Sequence, residues 1–342
     1  MPLTNTLPLV ETVAAMKKTI LINIIITILL LAVLEAGARV YIFFSTGSST
    51  AGLRERTQHL NYQPFTMYGA DMDELISKYG KADGSTYRIL LVGGSTAQGF
   101  PTGILEEAFK YQYPEKNFEV INLAFGGYNA RQEVVIASIW GSQLRPDMLI
   151  SLTGANDLTH RLRMDKAGSF YLDDSYRFIL THPYLSPIAE LLRHSQLRNG
   201  IERLLARKKL KDVSVYEDAV PIFLEAQHSL NMLAKGACAQ RIMVLQPFHA
   251  NKKPMSSREK AFTRYKYREG VVMTLFDKAG KGLASLARDD GVLYLDGRNI
   301  YDGMKETIFT DDVHFKGDQG YRILANRIVS TTSAQQLTSR CQ

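Results

Sequence analysis

Short apolar runs separated by helical patterns dominate the chain between residues 85 and 330. Near-continuous apolar strands that alternate with helices are typical of a parallel sheet covered on both faces. The pattern therefore predicts an α/β domain of three layers, flavodoxin-like, with a five-stranded parallel sheet and right-handed crossovers. The five strand candidates are RILLVG (88–93), FEVINLA (118–124), DMLISLTG (147–154), RIMVLQP (241–247) and GVLYLD (291–296), and helical patterns include 130–144 and 260–289.

One long gap interrupts this alternation. No strand pattern lies between Asp157 and Arg241, and the segment is too long for a simple crossover. We predict a mainly helical insertion at about 158–240, with an amphipathic helix over 184–211 whose far end is basic. That basic end fits either a solvated face or a lid in contact with anionic lipid.

An uncharged apolar stretch near the N-terminus predicts one transmembrane helix. Residues 19–34 carry no charge and follow Lys17 and Lys18, and the chain is apolar again over 40–44. Lysines on the N-terminal flank favour a cytoplasmic N-terminus and a single-pass protein whose body is extracytoplasmic, periplasmic in a bacterium. The alternative is a signal peptide cleaved after Ala38, since the residues before it are small.

These patterns divide the chain into segments. We predict a cytoplasmic N-terminus over 1–18, a transmembrane anchor over 19–44, a linker or connector over 45–84, and the α/β domain over 85–335.

Composition narrows the classes of partner. The chain has 342 residues, of which 45% are hydrophobic and 22% are charged, and this excludes widespread disorder. A formal net charge of +7 favours an anionic neighbour such as a membrane surface or an acidic polymer. The sequence has no zinc-type spacing of Cys and His and no nucleic-acid signature, so we expect neither a metal nor a nucleic-acid partner.

For Cys238 and Cys341 we expect a buried thiol and a tail thiol, with a disulfide as the alternative.

Polar and glycine residues follow the strand candidates at the points where catalytic groups of open parallel sheets lie. Because the carboxyl ends of parallel strands meet at one edge, the residues after them are expected to lie close together. They are Gly93-Gly94-Ser95-Thr96 after the first strand, Asn122 to Asn129 around the end of the second, Gly154 to Asp157 after the third, and Thr310 to Phe315 beyond the fifth.

These residue types suit acyl transfer. The Ser95 hydroxyl is a weak nucleophile until a base takes its proton, and the His314 imidazole can do so near neutral pH. Asp311, three residues earlier, can accept from the other ring nitrogen. The N–H groups of Ser95 and Gly127 and the side-chain amide of Asn156 are candidate donors for an oxyanion hole. Taken alone, each of these residues has an ordinary structural explanation. The presence of all of them, in this order along the chain and after these strands, favours catalysis.

The four blocks resemble those of the SGNH/GDSL hydrolases, over about residues 85–330. The family's blocks are a serine in a G-D-S-like turn, an N-x-G-x-x-G-like stretch, G-x-N-D and a late D-x-x-H. The resemblance implies the SGNH-hydrolase fold and a serine esterase that acts through an acyl-enzyme without a metal or organic cofactor. The matching segments are Gly93-Gly94-Ser95, Asn122 to Gly127, Gly154 to Asp157 and Asp311 to His314.

Two positions depart from the family pattern. Gly94 stands where the family has an aspartate, which puts the rigidity of the serine turn in doubt. Ala124 stands where the first glycine of the second block often lies, which leaves Gly127 as the expected donor.

His249 follows the fourth strand without a carboxylate at matching spacing, so we expect it at the surface or pocket rim as a substrate contact.

The expected partner is an acylated carbohydrate or another ester. The resemblance and the predicted anchor together imply an O-acetyl esterase that acts on envelope or exported polysaccharide. Alternatives are a lipid esterase, a thioesterase or an O-acyltransferase of the same fold. A non-catalytic glycan-binding or assembly protein is the alternative outside the enzymes.

Overall fold

The computed structural model describes residues 7–46, 63, 65–80, 84–160, 162, 216–262, 269–334 and 337. The chain divides into two compact units. One consists of Met1–Gln58 with Asp174–Lys209, and the other of His59–Asp173 with Leu210–Gln342. The predicted helix over 184–211 lies outside the described residues.

The described part of the first unit is a single long helix, α1 (Leu7–Thr46). Within it, Met16–Gly37 is a 22-residue stretch of mean hydropathy 2.5 whose side chains are not buried inside the structure. Such a stretch is long and apolar enough to cross a membrane, and a signal sequence has the same features. The charged pair near its end, Glu35 and Arg39, lies one helical turn apart with the side chains 2.9 Å from each other.

The second unit contains a five-stranded sheet in the order β2-β1-β3-β4-β5, and every pair is parallel. This is the flavodoxin-like order, so the predicted fold class is confirmed. The central strand β3 is buried along its whole length, as expected for a strand covered on both faces. The strands are β1 (Tyr87–Gly93), β2 (Phe118–Asn122), β3 (Met148–Thr153), β4 (Gln240–Leu245) and β5 (Leu293–Asp296).

Helices cover both faces of this sheet. They are α2 (Met72–Tyr79), α3 (Ser95–Gln98), α4 (Thr102–Gln112), α5 (Ala130–Ile136), α6 (Ser142–Leu144), α7 (Ala155–His160), α8 (Ala219–Gly236), α9 (Ser257–Lys260), α10 (Glu269–Asp290) and α11 (Asp318–Ser330). Helices α4 and α11 pack together on one face, and α8 packs with α5 and α10 on the other. Because strand side chains alternate, Val244 enters the first core and Met243 the second.

One helix prediction is confirmed and one needs correction. The chain is helical over 130–144 as predicted, with Ala137–Gly141 forming a π-helical turn between α5 and α6. The predicted helix over 260–289 is not continuous, because α9 ends at Lys260 and the next two residues are not helical. Residues 263–268 lie outside the described residues, and α10 is described from Glu269.

The predicted insertion also extends too far. Helix α8 lies inside the 158–240 range, yet it packs in the core against α5 and α10. It is the crossover helix between β3 and β4. Residues 163–215 of the predicted insertion lie outside the described residues.

Part of the predicted connector over 45–84 belongs to the fold. Thr66, Tyr68 and Met72 are buried. The Tyr128 hydroxyl donates to the Tyr68 carbonyl at 2.7 Å, and the Gln132 side-chain amide donates to the Thr66 carbonyl at 2.9 Å. These bonds use backbone carbonyls, which give no hydrophobic pattern, so the sequence suggested only a polar connector.

The cysteine expectation was also wrong. Cys238 is half-buried and carries a disulfide bond. Cys341 lies outside the described residues. Sequence alone gives no distance between two such positions, so it could not choose between thiol and disulfide.

Candidate active site

Three of the predicted side chains form one hydrogen-bonded chain at the carboxyl edge of the sheet. The Oγ atom of Ser95, at the start of α3, lies 2.6 Å from Nε2 of His314, although 219 positions separate the two residues. Nδ1 of His314 lies 2.7 Å from Oδ2 of Asp311. An ionised Asp311 accepts a hydrogen bond from Nδ1–H of His314, which leaves Nε2 as the acceptor for the Ser95 hydroxyl.

The turn that contains Asp311 keeps this carboxylate ionised. Its Oδ1 accepts the backbone N–H groups of Val313 and His314, each at 2.9 Å. Burial by itself would raise the pKa of Asp311, but the hydrogen bond and charge of His314 and the two N–H donors outweigh it. The pKa of Asp311 therefore lies well below its ordinary value, and the carboxylate fixes the tautomer of His314 at neutral pH.

The glycine before the nucleophile makes room for the third block. A Cβ at Gly94 would collide with the side-chain nitrogen of Asn156 and lie 3.3 Å from the Tyr128 carbonyl. The absence of a side chain therefore lets Asn156 approach the serine turn. This close approach gives a physical reason for glycine where the SGNH/GDSL pattern has an aspartate.

The candidate oxyanion donors lie at the start of α3, in the turn after β2 and in the first turn of α7. Gly127 has a φ of 85° in a turn closed by the Tyr128 N–H and the Phe125 carbonyl, a conformation that favours glycine. The Asn156 amide nitrogen donates one hydrogen to the Tyr128 carbonyl at 2.7 Å and has a second to give. Within the described residues, the N–H groups of Ser95 and Gly127 have no hydrogen-bond acceptor. Their role as an oxyanion hole stays a prediction.

His249 is not the rim residue that we expected. It is buried, and its Nδ1 lies 3.4 Å from Oδ1 of the buried Asp312. Its backbone N–H donates to the Asp312 carbonyl at 2.9 Å. Burial lowers the pKa of His249. A carboxylate does lie near His249, but it comes from the loop of Asp311 and His314, so spacing along the chain could not reveal it.

Sequence reasoning missed side chains that brace the serine turn. The Asn122 amide donates to the Ala97 carbonyl at 2.8 Å, and Oε1 of Gln98 accepts the Gly126 N–H at 3.0 Å. A Cβ at Gly126 would lie 3.8 Å from the Cβ of Ser95, so this backbone approaches the nucleophile closely. Asn122 stands in the second block and Gln98 lies two residues after the first, and only their polarity pointed to a bracing role.

Two carboxyl groups are buried on the helices that follow the second and third blocks. Oδ1 of Asp157 accepts the Ala130 N–H at 3.0 Å, whereas the carboxyl group of Glu133 lies near the side chains of Thr153 and Gln227 without a hydrogen bond of good geometry. Burial, followed by the charge of Asp157, raises the pKa of Glu133 to about 8. Burial raises the pKa of Asp157 to about 6. Glu133 is therefore mostly protonated at neutral pH.

Metal ligation has no candidate in the part of the chain that the structure describes. There, no three His, Cys, Asp or Glu side chains are grouped so that they could hold a metal ion.

No protein-family model and no curated protein matches this sequence. Solved structures do match. One is an acetyl xylan esterase with 12% identity, which covers 72% of this chain and 100% of its own at a TM-score of 0.45. A catalytic mutant of an acetylxylan esterase from Geobacillus stearothermophilus has 15% identity, coverage of 75% and 98%, and a TM-score of 0.45. A GDSL-like lipase from Bacteroides thetaiotaomicron has 14% identity, coverage of 76% and 93%, and a TM-score of 0.43. At this level the likeness does not decide what the chain does.

Proposed function

We propose that this chain is a serine esterase of the SGNH/GDSL type. The observation that carries the proposal is the hydrogen-bonded chain of Ser95, His314 and Asp311, with contacts of 2.6 and 2.7 Å. A serine, an imidazole and an ionised carboxylate in this order are the groups that acyl transfer requires.

The geometry supports a two-step reaction. The Ser95 oxygen attacks the ester carbonyl while Nε2 of His314 takes the serine proton, and His314 returns that proton to the leaving alcohol. Water then attacks the acyl-serine, His314 takes a proton from it, and the carboxylic acid leaves as Ser95 is protonated again. The N–H groups of Ser95 and Gly127 and the Asn156 amide stabilise the oxyanion in both steps.

For the substrate we propose an O-acetylated carbohydrate of the cell envelope or of an exported polysaccharide. The Gly126 backbone, whose N–H donates to the Gln98 side chain, approaches Ser95 closely, and we take a short acyl group to fit beside it. The formal net charge of +7 suits an acidic polymer.

For localisation we propose a membrane anchor with the catalytic unit outside the cytoplasm. Support comes from the apolar stretch of α1, from Lys17 and Lys18 on its N-terminal flank, and from the disulfide bond at Cys238, since disulfides persist in oxidising compartments. Protease added outside the cytoplasmic membrane should digest the catalytic unit while the N-terminus stays protected. A mature N-terminus at Arg39, found by sequencing, would replace the anchor with a cleaved signal peptide.

Active-site labelling tests the enzymatic proposal. The full chain in detergent should react with a fluorophosphonate, and Ser95→Ala should abolish the labelling, while Ser138→Ala, a change at an exposed serine, should leave it intact. Absence of labelling in the wild type would favour the non-catalytic glycan-binding alternative.

Acyl-chain preference tests the substrate. We expect kcat/KM to be higher for p-nitrophenyl acetate than for the octanoate, and highest for an acetylated oligosaccharide. If kcat/KM instead rises steadily with chain length, the lipid esterase alternative is favoured. Transfer of acetyl to a sugar hydroxyl in preference to water would indicate an O-acyltransferase.

A further inference from the structure

We propose that Thr96 and Gln246 are positioning residues that set the approach of His314 to Ser95. This inference rests on the proposed esterase function, because it concerns the same pair of reacting groups. Neither residue belongs to the catalytic chain itself. Both side chains are buried, with Thr96 at 0% and Gln246 at 3% exposure, so they act through the residues beside them.

The hydrogen bonds of Thr96 can run in one direction only. Its hydroxyl lies 3.2 Å from the Val313 carbonyl and 2.6 Å from the side-chain nitrogen of Gln246. A carbonyl can only accept, so the single hydroxyl hydrogen of Thr96 goes to Val313. The hydroxyl oxygen must then accept from the Gln246 amide. The side chain at the end of β4 thereby fixes the rotation of the Thr96 hydroxyl.

The bond to Val313 acts on the peptide unit that leads into His314. The carbonyl end of this unit is held by Thr96, and its N–H end donates to Oδ1 of Asp311 at 2.9 Å. Because a peptide unit is planar, holding both ends fixes the plane from which the His314 side chain departs. Thr96 is covalently joined to Ser95, so one hydrogen bond connects the neighbour of the nucleophile to the neighbour of the base.

The other end of Thr96 is also held. Its backbone carbonyl accepts the Tyr321 hydroxyl at 3.2 Å, which attaches the serine turn to α11. The serine turn therefore cannot follow the His314 loop if the bond to Val313 is lost. Since a displacement of about 1 Å can reduce the rate of a catalysed step by about 10²-fold, this bond should appear in kcat.

The matched pair of variants is Thr96→Val and Thr332→Val, studied in the full chain in detergent with p-nitrophenyl acetate. Valine keeps the shape of threonine and removes the hydroxyl. Thr332 is a fair control because it is also buried and makes the same type of bonds, donating to the Val329 carbonyl at 2.7 Å and pairing with the Tyr113 hydroxyl at 2.8 Å.

We expect Thr96→Val to lower kcat by about 10- to 100-fold with KM within about twofold of wild type. Thr96→Ser should have a kcat close to that of the wild type, because serine keeps the hydroxyl. Gln246→Met, which removes the donor and leaves Thr96 in place, should lower kcat by about three- to tenfold. Thr332→Val should lower the thermal midpoint as Thr96→Val does and leave kcat unchanged. If Thr96→Val does not unfold cooperatively and so is not folded, the kcat of Gln246→Met tests the inference instead.

A double variant separates positioning from direct catalysis. If Thr96 acts through His314, adding Thr96→Val to His314→Ala should cause no further loss. An additive loss, or a kcat of Thr96→Val within twofold of wild type, overturns this inference while the esterase proposal stands. If Ser95→Ala keeps wild-type activity, the esterase proposal itself fails and this inference fails with it.

Discussion

Replacement of the buried Glu133 by glutamine should change how stability depends on pH. Burial together with the charge of Asp157 raises the pKa of Glu133 to about 8, because the nearby side chains of Thr153, Gln227 and Arg241 offset only part of the effect. Glutamine has nearly the same shape as a protonated glutamate and cannot ionise. Glu133→Gln therefore tests how ionisation of this one carboxyl group affects stability, with little change in packing.

The sign of this pH dependence follows from whether the folded or the unfolded chain binds the Glu133 proton. Between pH 4.5 and about pH 8 the folded chain keeps the Glu133 proton, whereas the unfolded chain releases it. The unfolded state thus binds fewer protons in this range, so the free energy of unfolding falls as pH rises. This loss in the free energy of unfolding is absent below pH 4.5 and complete above about pH 8.

The size of the effect follows from the same two values. A rise in pKa from 4.5 to about 8 corresponds to a loss on the order of 5 kcal/mol, at about 1.4 kcal/mol per tenfold change. For a domain of this size, 1 kcal/mol shifts the unfolding temperature by roughly 2–4 °C. We therefore expect Glu133→Gln to match wild type near pH 5 and to unfold roughly 10 °C or more higher near pH 9.

Thermal unfolding of the full chain in detergent, followed by intrinsic fluorescence from pH 4 to pH 9, measures this difference. Glu115→Gln is the control, because it removes the same charge from an exposed side chain and should run parallel to wild type. The Glu133→Gln curve should still fall between about pH 4 and pH 6, since burial also raises the pKa of Asp157 to about 6. Parallel curves for wild type and Glu133→Gln would show that Glu133 is ionised throughout and would refute the reasoning.

Three further predictions concern the candidate site. Ser95→Ala, His314→Ala and their double variant should each lose about 10³-fold or more in kcat, because the two groups act as one unit. Asp311→Ala should lower kcat, whereas Asp312→Ala should mainly lower the unfolding temperature, since Asp312 is buried against His249; the reverse result would reassign the orienting carboxylate. Asn156→Ala should lower kcat by about 10²-fold or more with a smaller change in KM, and Asn156→Asp should do no better. An effect confined to KM would assign Asn156 to substrate binding.

The hydrophobic pattern by itself determined the sheet and the neighbourhood of the site. Near-continuous apolar strands with helices between them permit few arrangements other than a covered parallel sheet, and the flavodoxin-like order was observed. Since the carboxyl ends of such strands meet at one edge, the residues after them had to lie close together. The structure does bring Ser95 and His314 into contact. Their catalytic roles remain predictions.

The tertiary structure alone decided which groups pair. Asp311 and Asp312 are neighbours in the chain, and only the turn shows that the first faces His314 and the second faces His249. The proton on Glu133 depends on burial from all sides and on a charge from another helix.

The bond from Thr96 to Val313 joins positions that no periodicity relates. Apolar burial repeats along a chain and leaves a pattern in the sequence. Hydrogen bonds and shifted pKa values depend on single distances between remote segments, and such distances exist only after the chain has folded.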